Sequence, residues 1–447
     1  MIATHRTHRH PLLRSVLLFG LFLLMPLMVS AGFELDGMAC LDCHAELSEK
    51  KVIHSIIADS DSCTMCHAQD NPDLHGFDPF AANIGEGVCS MCHGEFPGSG
   101  ELHYPVADGD CLTCHNPHQS DLAALLTRPQ GELCFDCHAP FDSKQKAHAP
   151  VASGSCSDCH DPHRADQPSL LRAVEPELCF QCHGPFDASG SSHMPVEFGE
   201  CSSCHLPHVS AEPKLLSAPQ KELCLQCHAE FSGALIHGPI KEGNCAGCHD
   251  PHGAAQQNLL KAAEPDLCFS CHGRRLNAAD GRPLVPIQPL FEGEEQLKHF
   301  PFEDGRCSDC HLPHAGEHAR LLNDAYPSGI YAAYSEEAYA FCFNCHDSGA
   351  FEDLRSTSAT NFRNGELNLH YRHTNRDKGR TCNACHSGHA SVQPSLVRER
   401  FSFGKNLLGQ RFTATAGGGT CATACHIEVS YDRDTPVNNR LRTTPWE

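Results

Sequence analysis

Thirty cysteines fall into fifteen pairs, each closed by a histidine, with no cysteine left over. Fourteen pairs read C-x-x-C-H: Cys40/Cys43/His44, Cys63/Cys66/His67, Cys89/Cys92/His93, Cys111/Cys114/His115, Cys134/Cys137/His138, Cys156/Cys159/His160, Cys179/Cys182/His183, Cys201/Cys204/His205, Cys224/Cys227/His228, Cys245/Cys248/His249, Cys268/Cys271/His272, Cys307/Cys310/His311, Cys342/Cys345/His346 and Cys382/Cys385/His386. The fifteenth is one residue longer, Cys421/Cys425/His426. Two thiols three residues apart emerge on one side of a tight helical turn, so both can add to the two vinyl groups of one haem. The next residue's imidazole then reaches the iron from the proximal side. Structural zinc also takes paired cysteines, but it needs two pairs per ion and gives no reason for a histidine after every second cysteine. A disulfide scaffold suits an even count but imposes no C-x-x-C-H grammar. The chemistry expected is covalent attachment of fifteen haem c groups, each bringing an iron.

The amino terminus indicates where that chemistry takes place. His5, Arg6, Arg9 and Arg14 precede an apolar run from Val16 to Val29, and Val29-Ser30-Ala31 is a small-residue cleavage site, so residues 1–31 read as a secretory signal. The run is too short for a comfortable membrane span, and no long apolar stretch follows it. Residues 32–447 are expected outside the cytoplasm, in a periplasm.

The composition argues against an ordinary core, with one tryptophan against 30 prolines and 35 glycines and with cysteine supplying much of the apolar count. The apolar haem plates themselves are the expected core. The fold class expected is a multihaem cytochrome c: mostly irregular chain with short α-helices wrapped around a haem stack, and little or no β-sheet.

The motifs recur in units. Segments beginning at Cys111, Cys156, Cys201 and Cys245 are spaced by 45, 45 and 44 residues, and each carries two motifs. One copy runs through His148, Cys156 to His163 as C-x-x-C-H-x-P-H, Leu170-Leu171, Glu177-Leu178-Cys179 to His183, and Phe186. A looser fifth unit opens at His299 and Cys307, a sixth at Cys382 ends on the irregular motif, and a divergent pair at Cys63 and Cys89 leaves the Cys40 haem alone.

The spare histidines nearly match the irons. Setting aside the fifteen proximal histidines and His5, His8 and His10, sixteen of the 34 remain: His54, His75, His103, His118, His148, His163, His193, His208, His237, His252, His299, His314, His318, His370, His373 and His389. All but His318, which breaks the pattern, are expected as distal ligands, making the irons bis-histidine. In H-x-P-H the second imidazole is too near the first to reach the opposite face of the same haem, and the proline bends the chain away. It should ligate a neighbouring haem, so that iron bonds stitch one unit to another.

The repeated C-x-x-C-H-x-P-H, Leu-Leu and Leu-Cys-x-x-Cys-His resembles the doubled C-x-x-C-H family of multihaem c-type cytochromes over nearly the whole mature chain. That resemblance implies periplasmic or extracellular electron transfer in respiration, often towards metals, with some relatives sitting inside an outer-membrane porin and others polymerising into filaments. Two axial histidines close the iron to substrate, which favours a wire over an enzyme. Methionine ligation would raise the potentials, but residues 32–447 hold only Met38, Met65, Met91 and Met194, so low potentials are expected. The alternatives are a redox enzyme of the nitrite or hydroxylamine type, with the Cys40 haem as its open iron, and an extracellular filament subunit.

Charge adds a polarity. Residues 32–349 hold 17 Lys+Arg against 46 Asp+Glu, whereas residues 350–447 hold 13 against 9, with Arg363, Arg372, Arg376, Lys378 and Arg380 crowded together and Arg433, Arg440 and Arg442 in the tail. The basic end is expected to dock an acidic redox partner or a second copy of this chain; no nucleic-acid partner is expected of so acidic a body. Residues 274–298 read as an extended insertion and Tyr326–Tyr339 as an amphipathic helix. They set a boundary near residue 273, between a regular array of eleven haems (residues 32–273) and a less regular portion with four (residues 274–447).

Overall fold

The computed structural model describes residues 39–58, 60–67, 88–94, 96, 99–186, 190–278 and 281–439. The signal segment, His75, Arg440 and Arg442 lie outside them. Among the described residues no helix is long and apolar enough to cross a membrane.

Each repeat builds the same string of small elements. A two-residue strand, Lys146–Ala147, leads to His148, which precedes the one-turn helix Ala149–Ala152. Pro150 sits in the first turn of that helix, where its missing N–H has no intrahelical partner to lose. A 3-10 turn at Cys156–Asp158 carries the first motif, a second short strand spans Arg164–Ala165, and the helix Glu177–His183 carries the second motif. Helices of one or two turns are not stable alone, so they depend on what they are tied to. Between the first helix and the first motif stands a glycine at positive φ; at Gly199 (φ +73°) a Cβ would also lie 2.5 Å from Cδ of Pro176, so only glycine fits.

Two-residue ladders join successive repeats. Lys146–Ala147 pairs with Val209–Ser210, Ser191–Ser192 with Gly253–Ala254, Leu235–Ile236 with Ala315–Gly316, and Leu297–Lys298 with Ala390–Ser391. The opening strand of one repeat thus pairs with the strand that follows H-x-P-H in the next. Two compact units result, one of the described residues up to Cys137 with Pro162–Leu170, the other of His138–Asp161 with Leu171 onward. This division differs from the expected break near residue 273, because the ladder from Leu235–Ile236 to Ala315–Gly316 runs straight past that position.

Three local features differ from expectation. Arg400–Phe403, Asn406–Ala414, Gly418–Thr423 and His426–Asp432 form a four-stranded antiparallel meander, a genuine sheet where little or none was expected. Tyr326–Tyr339 is not an amphipathic helix; apart from the turn Glu337–Tyr339 it is irregular, and Tyr326, Tyr334 and Tyr339 pack with Phe341, Phe343 and Phe351. Residues 274–298 fold into a short hairpin, Leu276–Asn277 against Pro283–Leu284, and the helix Gln288–Glu292.

The polypeptide's own core is thin. Among the described residues Ile57 and Leu133 are buried, as are Phe302, Leu322, Tyr339, Ala384, Ala390, Val397 and Phe401 in the carboxy-terminal third, while repeat positions such as Phe141, Phe186, Phe231, Leu206 and Leu312 remain exposed. Apolar side chains at fixed repeat positions without protein cover mark surfaces meant for another apolar body.

Candidate metal centres

Proximal and spare histidines face each other in pairs. The first-motif histidine of one repeat meets the H-x-P-H histidine of the next: His67 with His118, His115 with His163, His160 with His208, His205 with His252, His249 with His314 and His311 with His389. The second-motif histidine instead meets the one that opens its own repeat: His93 with His54, His183 with His148, His228 with His193, His272 with His237 and His346 with His299. Ring centroids in these pairs are 5.8 to 6.2 Å apart, and apart from the tilted His54–His93 pair the planes lie within 12 to 24° of parallel. Rings in direct contact would sit closer. Two imidazoles ligating one metal from opposite faces, each nitrogen about 2.0 to 2.1 Å from it, hold their centroids about 6.3 Å apart. The gaps therefore fit an iron in a porphyrin plane, with one thioether-bearing motif beside each.

The imidazoles are oriented by carbonyls. Nδ1 of His115, His205, His249, His311 and His386 lies 2.7 to 3.0 Å from the backbone oxygens of Ala124, Lys214, Asn258, Arg320 and Ser395, nine residues on in each case. A carbonyl only accepts, so Nδ1 carries the proton and Nε2 is left for the metal. Those five residues, with Ser169, all have φ between +55 and +63°, and the leucine after each is left-handed too. This conformation costs a non-glycine residue on the order of 1 kcal/mol. The Leu-Leu of the repeat is thus a turn that aims an oxygen. Among the opening histidines, Nδ1 of His103, His148 and His237 donates to the carbonyls of Pro162, Pro207 and Pro313, the prolines of H-x-P-H. Burial lowers His370 and His389 to about 4, holding both in the neutral form that metal ligation requires.

The phenylalanine three residues after the second motif has a partner that its sequence position did not reveal. Phe96, Phe141, Phe186 and Phe231 stack on His163, His208, His252 and His314, with centroids 4.2 to 5.0 Å apart. Each plates the outer side of a distal imidazole. The repeat that lacks this residue has Arg275 there, and Phe302 tilts against His389 instead.

Thiols of successive motifs lie side by side, alternating between first and second cysteines. Cys89 contacts Cys111, and likewise Cys179 meets Cys201, Cys224 meets Cys245, Cys268 meets Cys307 and Cys342 meets Cys382. Within repeats Cys114 neighbours Cys137, Cys159 Cys182, Cys204 Cys227, Cys248 Cys271 and Cys310 Cys345. Burial, then the adjacent thiol, pushes Cys179 and Cys224 up to about 11. Cys307 and Cys382 shift the other way, each lowered first by the hydrogen bond with its neighbouring thiol. Addition of a thiol across a vinyl group would form a C–S bond and move the S–H hydrogen to carbon without an oxidant.

The first three motifs, expected to hold haem on the same footing as the others, differ from this regular array. Cys43 ends the one-turn helix Cys40–Cys43, Cys66 follows the 3-10 turn Ser60–Met65, and Cys92 lies in the one-turn helix Ser90–His93. The attachment turn itself is kept, since the backbone N–H groups of His44, His67 and His93 donate to the carbonyls of Cys40, Cys63 and Cys89 at 2.9 to 3.0 Å. Cys66 neighbours Cys89, and Cys43 and Cys92 are exposed, as are the second cysteines Cys137, Cys182, Cys227, Cys271 and Cys345. Neither His44 nor His67 is followed by x-P-H and a left-handed Leu-Leu turn, yet His67 and His93 face His118 and His54 as in the later repeats.

The last sites are also built differently. Cys421 lies in a strand opposite Phe412 and Val429, and the register shifts between Cys421 and Thr423 before His426 opens the next strand. The extra residue of this motif belongs to a bulged hairpin, whereas the other motifs sit on helical turns. Cys385 is flanked by Cys421 and Cys425, His386 lies near His370, and His426 near His373. Both His370 and His373 therefore have a proximal histidine nearby. His318 stands before the turn Ala319–Leu321, close to Asp324, and no described imidazole faces it. Tyr334 and Tyr339 bury hydroxyls that have no protein partner, beside Cys382. Nδ1 of His54 is buried and unpartnered as well.

The family model for the doubled CXXCH motif matches residues 103–143, 148–188, 193–233, 237–276 and 299–351, every match beginning on the histidine that opens a repeat. The motifs at Cys40, Cys63 and Cys89 lie ahead of the first match, and those at Cys382 and Cys421 beyond the last. No curated protein matches the chain. With its paired motifs in five successive matches, the chain belongs to the doubled CXXCH motif family and is a multihaem c-type cytochrome binding covalent haem c and its iron.

Proposed function

We propose that this cytochrome relays electrons through fifteen covalent haems, with bis-histidine ligation throughout the repeats. The eleven facing imidazole pairs carry the reading, since their separation leaves space for a metal and no free coordination position for a substrate. Bound haem supplies one-electron chemistry, the iron gaining or losing an electron. The chain's residues do the rest: cysteines fix each group, histidines close both axial positions, and from Cys159 to Cys425 the alternating thiol contacts join the motifs in sequence order.

Proximity assigns His370 to His386 and His373 to His426. We place the relay in the periplasm or at the outside of the outer membrane, in anaerobic or metal-reducing respiration, on the strength of the signal-like residues 1–31. Its partners are other redox proteins, including the case of a surrounding outer-membrane porin or of further copies of this chain.

Intact mass and electron paramagnetic resonance of the purified cytochrome test this together. Fifteen haems with low-spin signals are expected. Fewer than about a dozen haems would overturn the attachment argument, and a stoichiometric high-spin signal would replace the relay with an enzyme having an open iron.

A further inference from the structure

Five residue-Leu-Leu turns and one Ser-Leu-Val turn hold strained backbone that the relay does not by itself require. Ala124-Leu125, Ser169-Leu170, Lys214-Leu215, Asn258-Leu259, Arg320-Leu321 and Ser395-Leu396 all place two consecutive non-glycine residues at positive φ. Strain repeated at one position marks a device whose geometry is held on purpose by its surroundings. The hold is visible: the carbonyls of Leu125, Leu215, Leu259, Leu321 and Leu396 accept from the backbone N–H of Asn116, Leu206, Asp250, Leu312 and Ser387, the residue after each proximal histidine. With the leucine carbonyl tied to that residue, the preceding carbonyl can only point at Nδ1.

We propose that these turns are positioning elements that set the reduction potential of the first-motif haems. A carbonyl accepting from Nδ1–H makes the imidazole a stronger electron donor through Nε2, which favours ferric over ferrous iron and lowers the potential. The side chain of the left-handed residue is immaterial; its backbone conformation is what matters, which accounts for Ala, Ser, Lys, Asn and Arg at equivalent places. Among the second motifs, Nδ1 of His183, His228, His272 and His346 has no hydrogen-bond partner among the described residues, whereas the irregular motif's His426 donates to a carbonyl there, that of Ile427 next to it in sequence.

The proposal rests on haem occupying each motif, and its test separates the two. Two variants of the full chain replace Ala124, Ser169, Lys214, Asn258, Arg320 and Ser395 together, one with glycine, which accepts positive φ, the other with valine, which resists it. Intact mass reports the haem count of each, and a shortfall already in the unsubstituted chain would indict the functional reading alone. With haem counts equal, the glycine variant's potentiometric curve should superimpose on that of the unsubstituted protein. The valine variant should move to higher potential the share of the five haems whose proximal Nδ1 meets a turn carbonyl. Coincident glycine and valine curves would overturn the proposal. Should the valine variant not mature, proton exchange in the unsubstituted cytochrome decides: Nδ1–H of His205, His249 and His311 must exchange more slowly than that of His183, His228 and His272, and equal rates would overturn it as well.

Discussion

The backbone N–H of His148 donates to the carbonyl of His208 across 2.9 Å, although the two side chains face different proximal histidines, His183 and His160. The same bond joins His237 to His314 and His299 to His389. One two-residue ladder therefore places the distal ligands of both sites in a repeat. His208→Ala is expected to open the iron of the Cys156 motif, 45 residues upstream, and not that of its own Cys201 motif. Carbon monoxide binding to the reduced protein should rise by one equivalent, and should fall back when Cys156 and Cys159 are also replaced. Persistence of the new binding in that combined variant would refute the crosswise pairing.

Phe186 stacks on His252 at 4.2 Å with planes 5° apart. Phe186→Leu keeps an apolar body but removes the flat plate, so a loss of about 0.5 to 1.5 kcal/mol in the stability of the loaded protein is expected, with all haems retained. Denaturant unfolding followed through the Soret band measures it. An unchanged midpoint would mean that the stacking contributes nothing.

The Tyr339 side chain is 1% exposed and its hydroxyl has no protein acceptor. If the hydroxyl stayed unpaired in the mature protein, Tyr339→Phe would stabilise it. A gain of about 1 kcal/mol is therefore expected, and a loss would show that the loaded protein supplies an acceptor. Thermal unfolding of the haem-loaded variant gives the sign directly.

Removing Thr423 would restore the C-x-x-C spacing to the irregular motif but break its register, in which Thr423 pairs with His426. The deletion is expected to lose the carboxy-terminal haem rather than improve its attachment. Intact mass lower by one haem is the predicted reading, and a full haem count would show that the hairpin does not dictate the spacing.

The basic end is only partly available for docking. Arg363 donates to the carbonyls of Gly365 and Arg433, and Arg380 lies over the Tyr331 ring, whereas Arg372, Arg376 and Lys378 are exposed. Reversing charge at Arg372, Arg376 and Lys378 should slow association with an acidic redox partner, and rising salt should slow it for the unsubstituted protein too. Stopped-flow rates that ignore ionic strength would exclude a steered encounter.

The motifs, the 45-residue period and the set of spare histidines were legible in the sequence because covalent attachment and ligation need fixed residue types. Which histidine faces which was not, since that is decided by ladders such as Lys146–Ala147 with Val209–Ser210, too short to show any alternation. The left-handed turns were equally hidden: Ser169-Leu170 and Asn258-Leu259 contain no glycine to announce positive φ. The sheet at the carboxy terminus had a local signal in Phe401-Ser402-Phe403-Gly404, but it was outweighed by the cysteine pattern, which everywhere else marks helical turns.

Because the H-x-P-H histidine of each repeat serves the motif before it, no repeat is finished by its own residues. A chain emerging from its amino terminus would complete each unit only when the following one has folded against it, so assembly would advance vectorially, one unit at a time. The same offset makes length adjustable. Excising one whole period, such as residues 193–236, leaves His160 with an equivalent partner in His252, and a shorter array would still be closed at every joint.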